Sequence, residues 1–280
     1  MTRHDALRGR TMIISGGSRG IGEAIAVRAA SVGVNVALIA KTAEPHPKLP
    51  GTIYTAAAAI EKAGGRALPI VGDIRNDDEV QAAVARTVDE FGGIDLVINN
   101  ASALDLSKAD RISMKKYDLM QDINARGAFL LSATAIPHLR ESSHAHILTL
   151  SPPITLEPKW FDEIGTAYTI SKFAMSLVTL GLARELRDDA IAVNSLWPRT
   201  TIDTAAVRNV LGAELVSKSR SVEIMADAAI EILSRPADTA TGQCYIDDEV
   251  LSAAGVTDFS RYRSAASDDD LELDFWMRRA

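Results

Sequence analysis

Two residues one helical turn apart could transfer a proton in this protein. Tyr168 and Lys172 stand four positions apart in a stretch whose apolar pattern predicts a helix, so their side chains share one face, with Cβ atoms about 5–6 Å apart. A phenol with a pKa near about 10 is a poor base at neutral pH, and a neighbouring ammonium lowers that pKa by stabilising the phenolate. The pair predicts acid/base chemistry, although Tyr and Lys also occur at this spacing by chance on exposed helices.

A second candidate site is a glycine-rich stretch near the N-terminus. Residues 15–22 read S-G-G-S-R-G-I-G, directly after an apolar run, and a predicted helix opens on the last glycines. Glycines permit a tight turn and the close approach of a pyrophosphate, and a helix N-terminus offers free N–H groups. The stretch therefore predicts dinucleotide binding rather than an ordinary turn, with these contacts: Gly16, Ser18, Arg19, Gly20, Ile21 and Gly22.

These two sites must be positioned by the elements around them, which alternate between apolar runs and amphipathic stretches. The predicted strands are Thr11–Ser15, Val34–Ala40, Ala67–Val71, Ile94–Ile98, His146–Leu150, Ala190–Leu196 and Gln243–Ile246. The predicted helices are Ile21–Ser31, Thr52–Ala63, Asp77–Phe91, Met114 to about Leu139, Ala167–Arg187 and two stretches between about Asp203 and Ser234. Repeated strand-helix-strand units predict an α/β fold: a single-domain, doubly wound (Rossmann) parallel sheet of seven strands with helices on both faces.

Composition limits the classes of function. A chain of 280 residues with 47% hydrophobic residues fits one packed domain, and no apolar run approaches the roughly 20 residues of a membrane span. A net charge of −7 argues against a nucleic-acid partner. The single cysteine, Cys244, has no partner for a disulfide or a metal site, and no apolar leader segment precedes the first strand, so we expect a cytoplasmic protein without a metal.

The charge distribution separates a domain over residues 1–265 from an acidic tail over residues 266–280. The tail contains the run Asp268–Asp270 and, further on, Phe275, Trp276 and Met277. Two interpretations stay open for it: a frayed end, or a segment docked on a neighbouring subunit.

The spacing G-x-x-x-G-x-G, together with Y-x-x-x-K further along, resembles the short-chain dehydrogenase/reductase family. That resemblance implies an NAD(P) cofactor and a hydride transfer in which Tyr168 exchanges a proton with the substrate oxygen. Members that use NAD place an acid at the end of the second strand to hold the ribose 2′-hydroxyl. Here Ala40 and Lys41 stand there, and with Arg19 they favour a 2′-phosphate and hence NADP(H).

Further cofactor contacts follow from the same resemblance. Asp73 and Ile74 end the third strand, where the family binds adenine, with Asp73 accepting from the amino group. The residues after the fourth strand resemble the family's N-N-A-G signature, with Ser102 in place of the glycine, and Lys172 matches the lysine that holds the nicotinamide ribose. The remaining predicted contacts, including those to the carboxamide, are Asn99, Asn100, Ala101, Pro198, Ile202 and Thr204.

The resemblance also predicts catalytic partners for Tyr168, and here the sequence departs from the pattern. Asn124 matches an asparagine that anchors a water of the proton relay, or else it bends its helix by local hydrogen bonding. The family's active serine falls on Pro152, one residue after Ser151. Either Ser151 is re-aimed to polarise a carbonyl, or that role passes to Thr155, to a water or to nothing.

Within the family, the stretches at residues 40–54, 150–153 and 196–200 resemble a subgroup that includes hydroxysteroid dehydrogenase-like proteins of type 2 and bacterial citronellol/citronellal dehydrogenases. Apolar residues around the expected site favour a lipid-like or terpenoid substrate, or merely pack the capping helix: Trp160, Phe161, Ala205, Ala206, Val207, Val210 and Leu211. Relatives are commonly homodimers or homotetramers. The leading hypothesis is an alcohol/carbonyl oxidoreductase; a nucleotide sensor with little turnover and an enoyl-thioester reductase are the alternatives.

Overall fold

The core of the molecule is a parallel sheet of seven strands. The computed structural model describes residues 4–46 and 49–277, so Pro47, Lys48 and the last three residues of the predicted tail lie outside it. The strands lie in the order β3-β2-β1-β4-β5-β6-β7, and every neighbouring pair is parallel. Their bounds are β1 Thr11–Ser15, β2 Asn35–Ala40, β3 Ala67–Val71, β4 Leu96–Asn99, β5 His146–Thr149, β6 Ala192–Trp197 and β7 Cys244–Ile246. This order confirms the predicted single doubly wound sheet.

Helices cover both faces of the sheet. They are α1 Gly20–Ser31, α2 Ile53–Lys62, α3 Asp77–Phe91, α4 Met114–Met120, α5 Gly127–Leu139, α6 Pro158–Glu163, α7 Thr166–Glu185, α8 Glu223–Leu233 and α9 Asp247–Ala253. Their local signals are clear in α3, where the Asn76 side chain accepts from the backbone N–H groups of Asp78 and Glu79, and Gly92 ends the helix at a φ of +86°. None of the helices in the described ranges has the length and apolarity needed to cross a bilayer.

Alternate residues of each strand feed two separate cores. In β1, Met12 and Ile14 pack with α1, α2 and α8 on one face, while Ile13 packs with α3, α5 and α7 on the other. This alternation follows from the two-residue period of an extended chain. Because both faces of the central strands are buried, those strands are mostly apolar. Their carboxyl ends form one edge on which loops can build a site.

Three helical predictions need correction. The helix expected from Met114 to about Leu139 is divided by a π-helical segment, Gln121–Arg126. Only α8 is α-helical between Asp203 and Ser234; a π turn at Val207–Leu211 and a 3-10 segment at Ala213–Lys218 precede it. Helices α6 and α9 were missed, because α6 begins on Pro158 in a proline-containing loop and α9 follows β7 without a break.

The interpretation of the C-terminal tail as a frayed end is wrong for its described residues, and docking on a neighbouring subunit stays a prediction. Leu271, Trp276 and Met277 are buried against the tail's own domain, and Leu273 forms an antiparallel bridge with Thr200. Acidic residues of the tail find cations in the same chain: the Asp268 carboxylate lies 3.1 Å from Arg263. The tail is therefore an ordered part of the domain that contains the glycine turn.

Candidate active site

One groove runs along the carboxyl ends of the neighbouring central strands β1 and β4 and has a volume of about 610 Å³. Open α/β sheets bind ligands at this switch point, since the connections leave β1 and β4 in opposite directions. Most of the predicted cofactor contacts line it: Gly16, Ser18, Arg19, Gly20, Ile21, Lys41, Asp73, Ile74, Asn100, Ala101, Tyr168, Lys172, Pro198, Ile202 and Thr204. The two candidate sites of the sequence thus belong to a single groove.

The glycine turn leaves room for a ligand because side chains are excluded from it. Gly16 has a φ of +69° and Gly20 a φ of +58°, in the left-handed region that favours glycine. A Cβ on Gly16 would lie 2.8 Å from the Ala101 Cα, and one on Gly22 would lie 2.4 Å from the Asn100 Nδ2. Gly22 does not line the groove. Because it has no side chain, it leaves space for the Asn100 amide, which donates to the carbonyls of Ser15 and Gly16.

Charged side chains gather at the end of the groove beyond β2 and β3. Asp73 is held by two N–H groups of Arg75, at 2.6 to 3.0 Å, and by Lys41 Nζ at 3.3 Å. The Arg75 hydrogen bonds, followed by Lys41, hold the pKa of Asp73 well below its usual range. Arg19 donates to the carbonyls of Pro50 and Gly51. Sequence reasoning missed Arg75, which stands one position after the recognised adenine-binding turn.

Tyr168 and Lys172 lie on the first turns of α7 and reach the opposite end of the groove. Lys172 Nζ donates to the Leu150 carbonyl at 2.6 Å and lies 4.9 Å from the centre of the Trp197 ring. Burial lowers the pKa of Lys172 to about 7. Burial, followed by the charge of Asp274, raises the pKa of Tyr168. This direction is opposite to the sequence expectation, because desolvation of the phenolate dominates in the structure.

Asn124 stands in the π-helical segment between α4 and α5 and is fully buried. Its Oδ1 accepts from the Ala103 N–H at 2.7 Å, and its Nδ2 donates to the Ala103 carbonyl and to Ser171 Oγ. Ser171 Oγ in turn donates to the Tyr168 carbonyl. Asn124 therefore fixes the loop after β4 against the start of α7, and it does not itself line the groove.

Three other predicted site residues lie away from the groove. Ser151 is fully buried, and its Oγ has no hydrogen-bond partner among the described residues. The neighbouring Pro152 is fixed through its carbonyl, which accepts from Ser176 Oγ at 2.6 Å. Asn99 is buried and donates to Ser132 Oγ at 2.8 Å, so it supports β4. Thr155, the other hydroxyl considered, accepts from the Glu157 N–H and is outside the groove.

The segment after β6 forms one wall. Ala205, Ala206 and Val207 line the groove, whereas the side chains of Val210 and Leu211 lie outside the described part of the chain. On the predicted opposite wall, Trp160 is buried in a cluster with Tyr168 and does not reach the groove, and Phe161 is largely exposed. Arg199, which replaces the family's glycine, pairs with Asp248 and Glu249, and its backbone N–H donates to Asp247.

Two residues of the tail, which the sequence did not predict as site residues, belong to the groove. Asp274 and Phe275 line the groove beside Tyr168 and Lys172. Burial raises the pKa of Asp274 to about 7. The available signal was the pair of aromatic residues at 275–276 inside an otherwise acidic tail, since solvated tails rarely carry such residues.

The residues of the groove fit a dinucleotide. Both Gly16 and Gly20 have a positive φ and line the groove, and the free N–H groups at the start of α1 suit a pyrophosphate. Lys41 lies where the ribose of the adenosine half is expected, and Lys172 lies at the nicotinamide end, beside Tyr168. The chain thus contains a nucleotide groove and a Tyr/Lys pair in one site.

Comparison with known proteins identifies the class. The family model for short chain dehydrogenases matches residues 10–214, and the chain belongs to this family of oxidoreductases. Hydroxysteroid dehydrogenase-like protein 2 of Danio rerio is 53% identical over 256 residues, covering 91% of this chain and 61% of that protein. The chain therefore spans less than two thirds of this relative.

Solved structures agree on the fold. A short chain dehydrogenase from Mycobacterium thermoresistibile has a TM-score of 0.91 at 55% identity, covering 97% of this chain and 96% of that one. An NADH-dependent reductase solved with NAD has a TM-score of 0.70 at 26% identity, covering 87% of this chain and 96% of that one. Family members of this kind use a nicotinamide cofactor, which agrees with the dinucleotide prediction.

Proposed function

We propose that the protein interconverts an alcohol and a carbonyl on an apolar, lipid-like or terpenoid substrate with NADP(H). The observation that carries this proposal is that Tyr168 and Lys172 line the same groove as the glycine turn. When bound, the nicotinamide ring supplies or accepts the hydride.

Tyr168 is the proposed acid/base. The phenol is protonated at neutral pH, so Tyr168 can donate a proton to a carbonyl oxygen as negative charge develops there. Lys172, with a pKa of about 7, supplies positive charge to the same end of the groove when protonated, and Asn124 holds the start of α7 in place through Ser171. Since Ser151 lies off the groove, polarisation of the carbonyl falls to Tyr168.

An apolar substrate is favoured by the walls near Tyr168. Ala205, Ala206 and Val207 approach from the segment after β6, and Phe275 approaches from the tail. Apolar walls with a few convergent polar groups are typical of sites for small lipophilic ligands.

The test of this function is a turnover screen of purified protein with NADPH and medium-chain aldehydes, ketones and enoyl-CoA thioesters. Tyr168→Phe is expected to lower kcat at least about 100-fold and to leave NADPH affinity within a few fold, while Tyr54→Phe on α2 keeps full activity. Turnover of enoyl thioesters alone would instead indicate an enoyl reductase. Tight NADPH binding without turnover on any substrate would indicate a nucleotide sensor, for which the buried position of Ser151 is the supporting observation.

The choice of NADP(H) over NAD(H) rests on charge. No acid stands at the end of β2, and Lys41 and Arg75 both lie within 3.3 Å of Asp73 at the adenosine end. We expect NADPH to bind at least ten times more tightly than NADH. Lys41→Ala should weaken NADPH about fivefold, as for a partly exposed charge pair of about 1 kcal/mol, and leave NADH unchanged. Lys62→Ala, at the end of α2, is the matched control; equal binding of both nucleotides contradicts the assignment.

We also propose an oligomeric state and a cellular compartment for the protein. Phe129, Ile170 and Leu177 are large apolar residues left exposed on α5 and α7, which supports a homodimer, or a homotetramer built from it. A net charge of −7 supports the absence of a nucleic-acid partner. The lone Cys244 fits a reducing compartment such as the cytoplasm.

A further inference from the structure

The C-terminal segment, Leu271–Met277, crosses the end of the groove at which Tyr168 lies. Its backbone pairs with the chain after β6: the Asp274 N–H donates to the Arg199 carbonyl at 3.0 Å, and the Thr201 N–H donates to the Glu272 carbonyl at 2.9 Å. On its other side, the Glu272 N–H donates to the Lys218 carbonyl. The segment is thus hydrogen-bonded on both sides, like a short added strand.

Aromatic packing places this segment directly on the catalytic tyrosine. The Trp276 ring is stacked on the Tyr168 ring, with centroids 5.9 Å apart and planes inclined by 28°. Trp276 also contacts Phe173 and Trp197, at 5.4 and 5.7 Å, and is only 3% exposed. The Tyr168 ring therefore has the indole as a direct neighbour, and any movement of that indole changes where the phenol can lie.

Phe275 has a different position. Its ring meets Tyr168 edge to face at 6.4 Å, and it lines the groove, which Trp276 does not. The Phe275 carbonyl accepts from the Trp197 indole N–H at 3.0 Å, so its backbone is fixed to the end of β6. One of these two adjacent rings faces the space for a ligand, and the other supports the tyrosine.

The backbone of Trp276 is held in a conformation that it would not adopt freely. Its φ of +64° lies in the left-handed region, which a bulky residue occupies only where the surrounding structure imposes it. An ion pair between Asp268 and Arg263 anchors the approach to the segment. These contacts show that the segment is fixed to the domain and is not a loosely attached end.

We propose that the C-terminal segment is the substrate-side wall of the active site, supplied by the same chain: Trp276 is a positioning residue for the Tyr168 ring, and Phe275 determines which substrates fit. The proposal rests on the proposed oxidoreductase function for its kinetic meaning. Its structural content, the support of α7 by Trp276, is independent of the reaction.

Four variants test it: Trp276→Ala, Trp276→Phe, Phe275→Ala and, as a control, Tyr54→Ala on the exposed side of α2. We expect Trp276→Ala to lower kcat at least tenfold with NADPH affinity within twofold, and Trp276→Phe to recover most of that loss. Phe275→Ala should change the order of KM values across a homologous series of aldehydes, with the largest decrease for the bulkiest members, and should affect kcat less. Tyr54→Ala should match the unchanged protein.

Amide hydrogen exchange of the first two turns of α7 provides a readout without turnover. Trp276→Ala should accelerate that exchange at least tenfold, and Trp276→Phe should not. If the protein turns over no substrate, the proposed function fails, and the exchange measurement alone decides the role of Trp276. Unchanged kinetics and unchanged exchange in Trp276→Ala overturn the proposal. So does a rise of kcat/KM for every substrate in both alanine variants, which would make the segment an inhibitory plug.

Discussion

The Tyr168 phenol carries the proton of the proposed reaction, and a charged residue far along the chain influences it. Asp274 raises the pKa of Tyr168, after burial, and also raises that of Lys172, against the larger effect of burial. A carboxylate near a phenol disfavours the phenolate, so it strengthens the hold of Tyr168 on its proton. Asp274 thus adds to the effect of burial on the pKa of Tyr168.

Asp274→Asn should change the pH dependence of carbonyl reduction. Because the charge of Asp274 raises the pKa of Tyr168, its removal lowers that pKa, and the phenol loses its proton at a lower pH. The alkaline decline of kcat should therefore move to lower pH in Asp274→Asn. The change should be evident on the alkaline limb, where Asp274 is charged, since the pKa of Asp274 is about 7 and that of the phenol lies higher.

The measurement is kcat against pH for the variant and for Glu272→Gln, a control at an exposed position of the same segment. The control should keep the unchanged profile. An alkaline limb that stays in place or moves to higher pH in Asp274→Asn would show that Asp274 does not act on the phenol.

At the scale of elements, the position of Tyr168 depends on the junction between α7 and the π-helical segment Gln121–Arg126. Asn124 binds both the N–H and the carbonyl of Ala103 and the hydroxyl of Ser171. These groups are buried, and an unpaired buried donor or acceptor is costly. One side chain thus joins the loop after β4 to the helix that carries the Tyr/Lys pair.

Asn124→Ala should therefore destabilise the fold by about 1–3 kcal/mol and lower kcat more than it raises KM. Asn76→Ala, which removes the cap of α3 at a cost of about 1 kcal/mol, is the matched control and should leave kcat intact. Urea unfolding gives the stabilities, and initial rates give the kinetic constants. Equal kcat values for the two variants would contradict the positioning role of Asn124.

The same elements show what sequence reasoning could reach. The seven strands were predicted to within a few residues, because each is a short apolar run bounded by turn residues. The resemblance to the family predicted Gly16, Asp73 and Tyr168 as parts of one site. Gly16 and Asp73 meet there because they follow strands whose carboxyl ends share one edge of the sheet. Local patterns carry this information.

The tail could not be predicted in the same way. Its acids fit a solvated end, and its true partners, such as Thr200, Arg263 and Tyr168, are set by long-range contacts that leave no local pattern. The pKa of Tyr168 was predicted in the wrong direction for a similar reason, since the spacing of Lys172 says nothing of burial. The position of Ser151 could not be predicted from its motif either. Its neighbour Pro152 is held by a hydrogen bond from Ser176 on α7, which is distant in the sequence.

At the scale of the whole molecule, large apolar side chains are exposed on the two helices α5 and α7. Ile170 and Leu177 stand seven positions apart on α7, on one face of that helix, and are 45% and 60% exposed. Phe129, on the adjacent α5, is 51% exposed. None of the three lines the groove. We propose that these exposed apolar residues belong to the interface of a homo-oligomer, in which a twofold axis would pair α5 and α7 with their copies.

Leu177→Asp should break this assembly, because it places a charge within an apolar contact where the partner offers no compensating group. We expect sedimentation velocity to show a dimer or tetramer for the unchanged protein at micromolar concentration and a monomer for Leu177→Asp, with the dissociation constant raised at least about 100-fold, or roughly 3 kcal/mol. Leu156→Asp is the matched control, since Leu156 is 77% exposed on the loop before α6 and belongs to neither α5 nor α7. An oligomer that persists in Leu177→Asp and dissociates in Leu156→Asp would place the interface on the loop before α6 instead. NADPH binding should survive in both variants, because the groove lies within one chain.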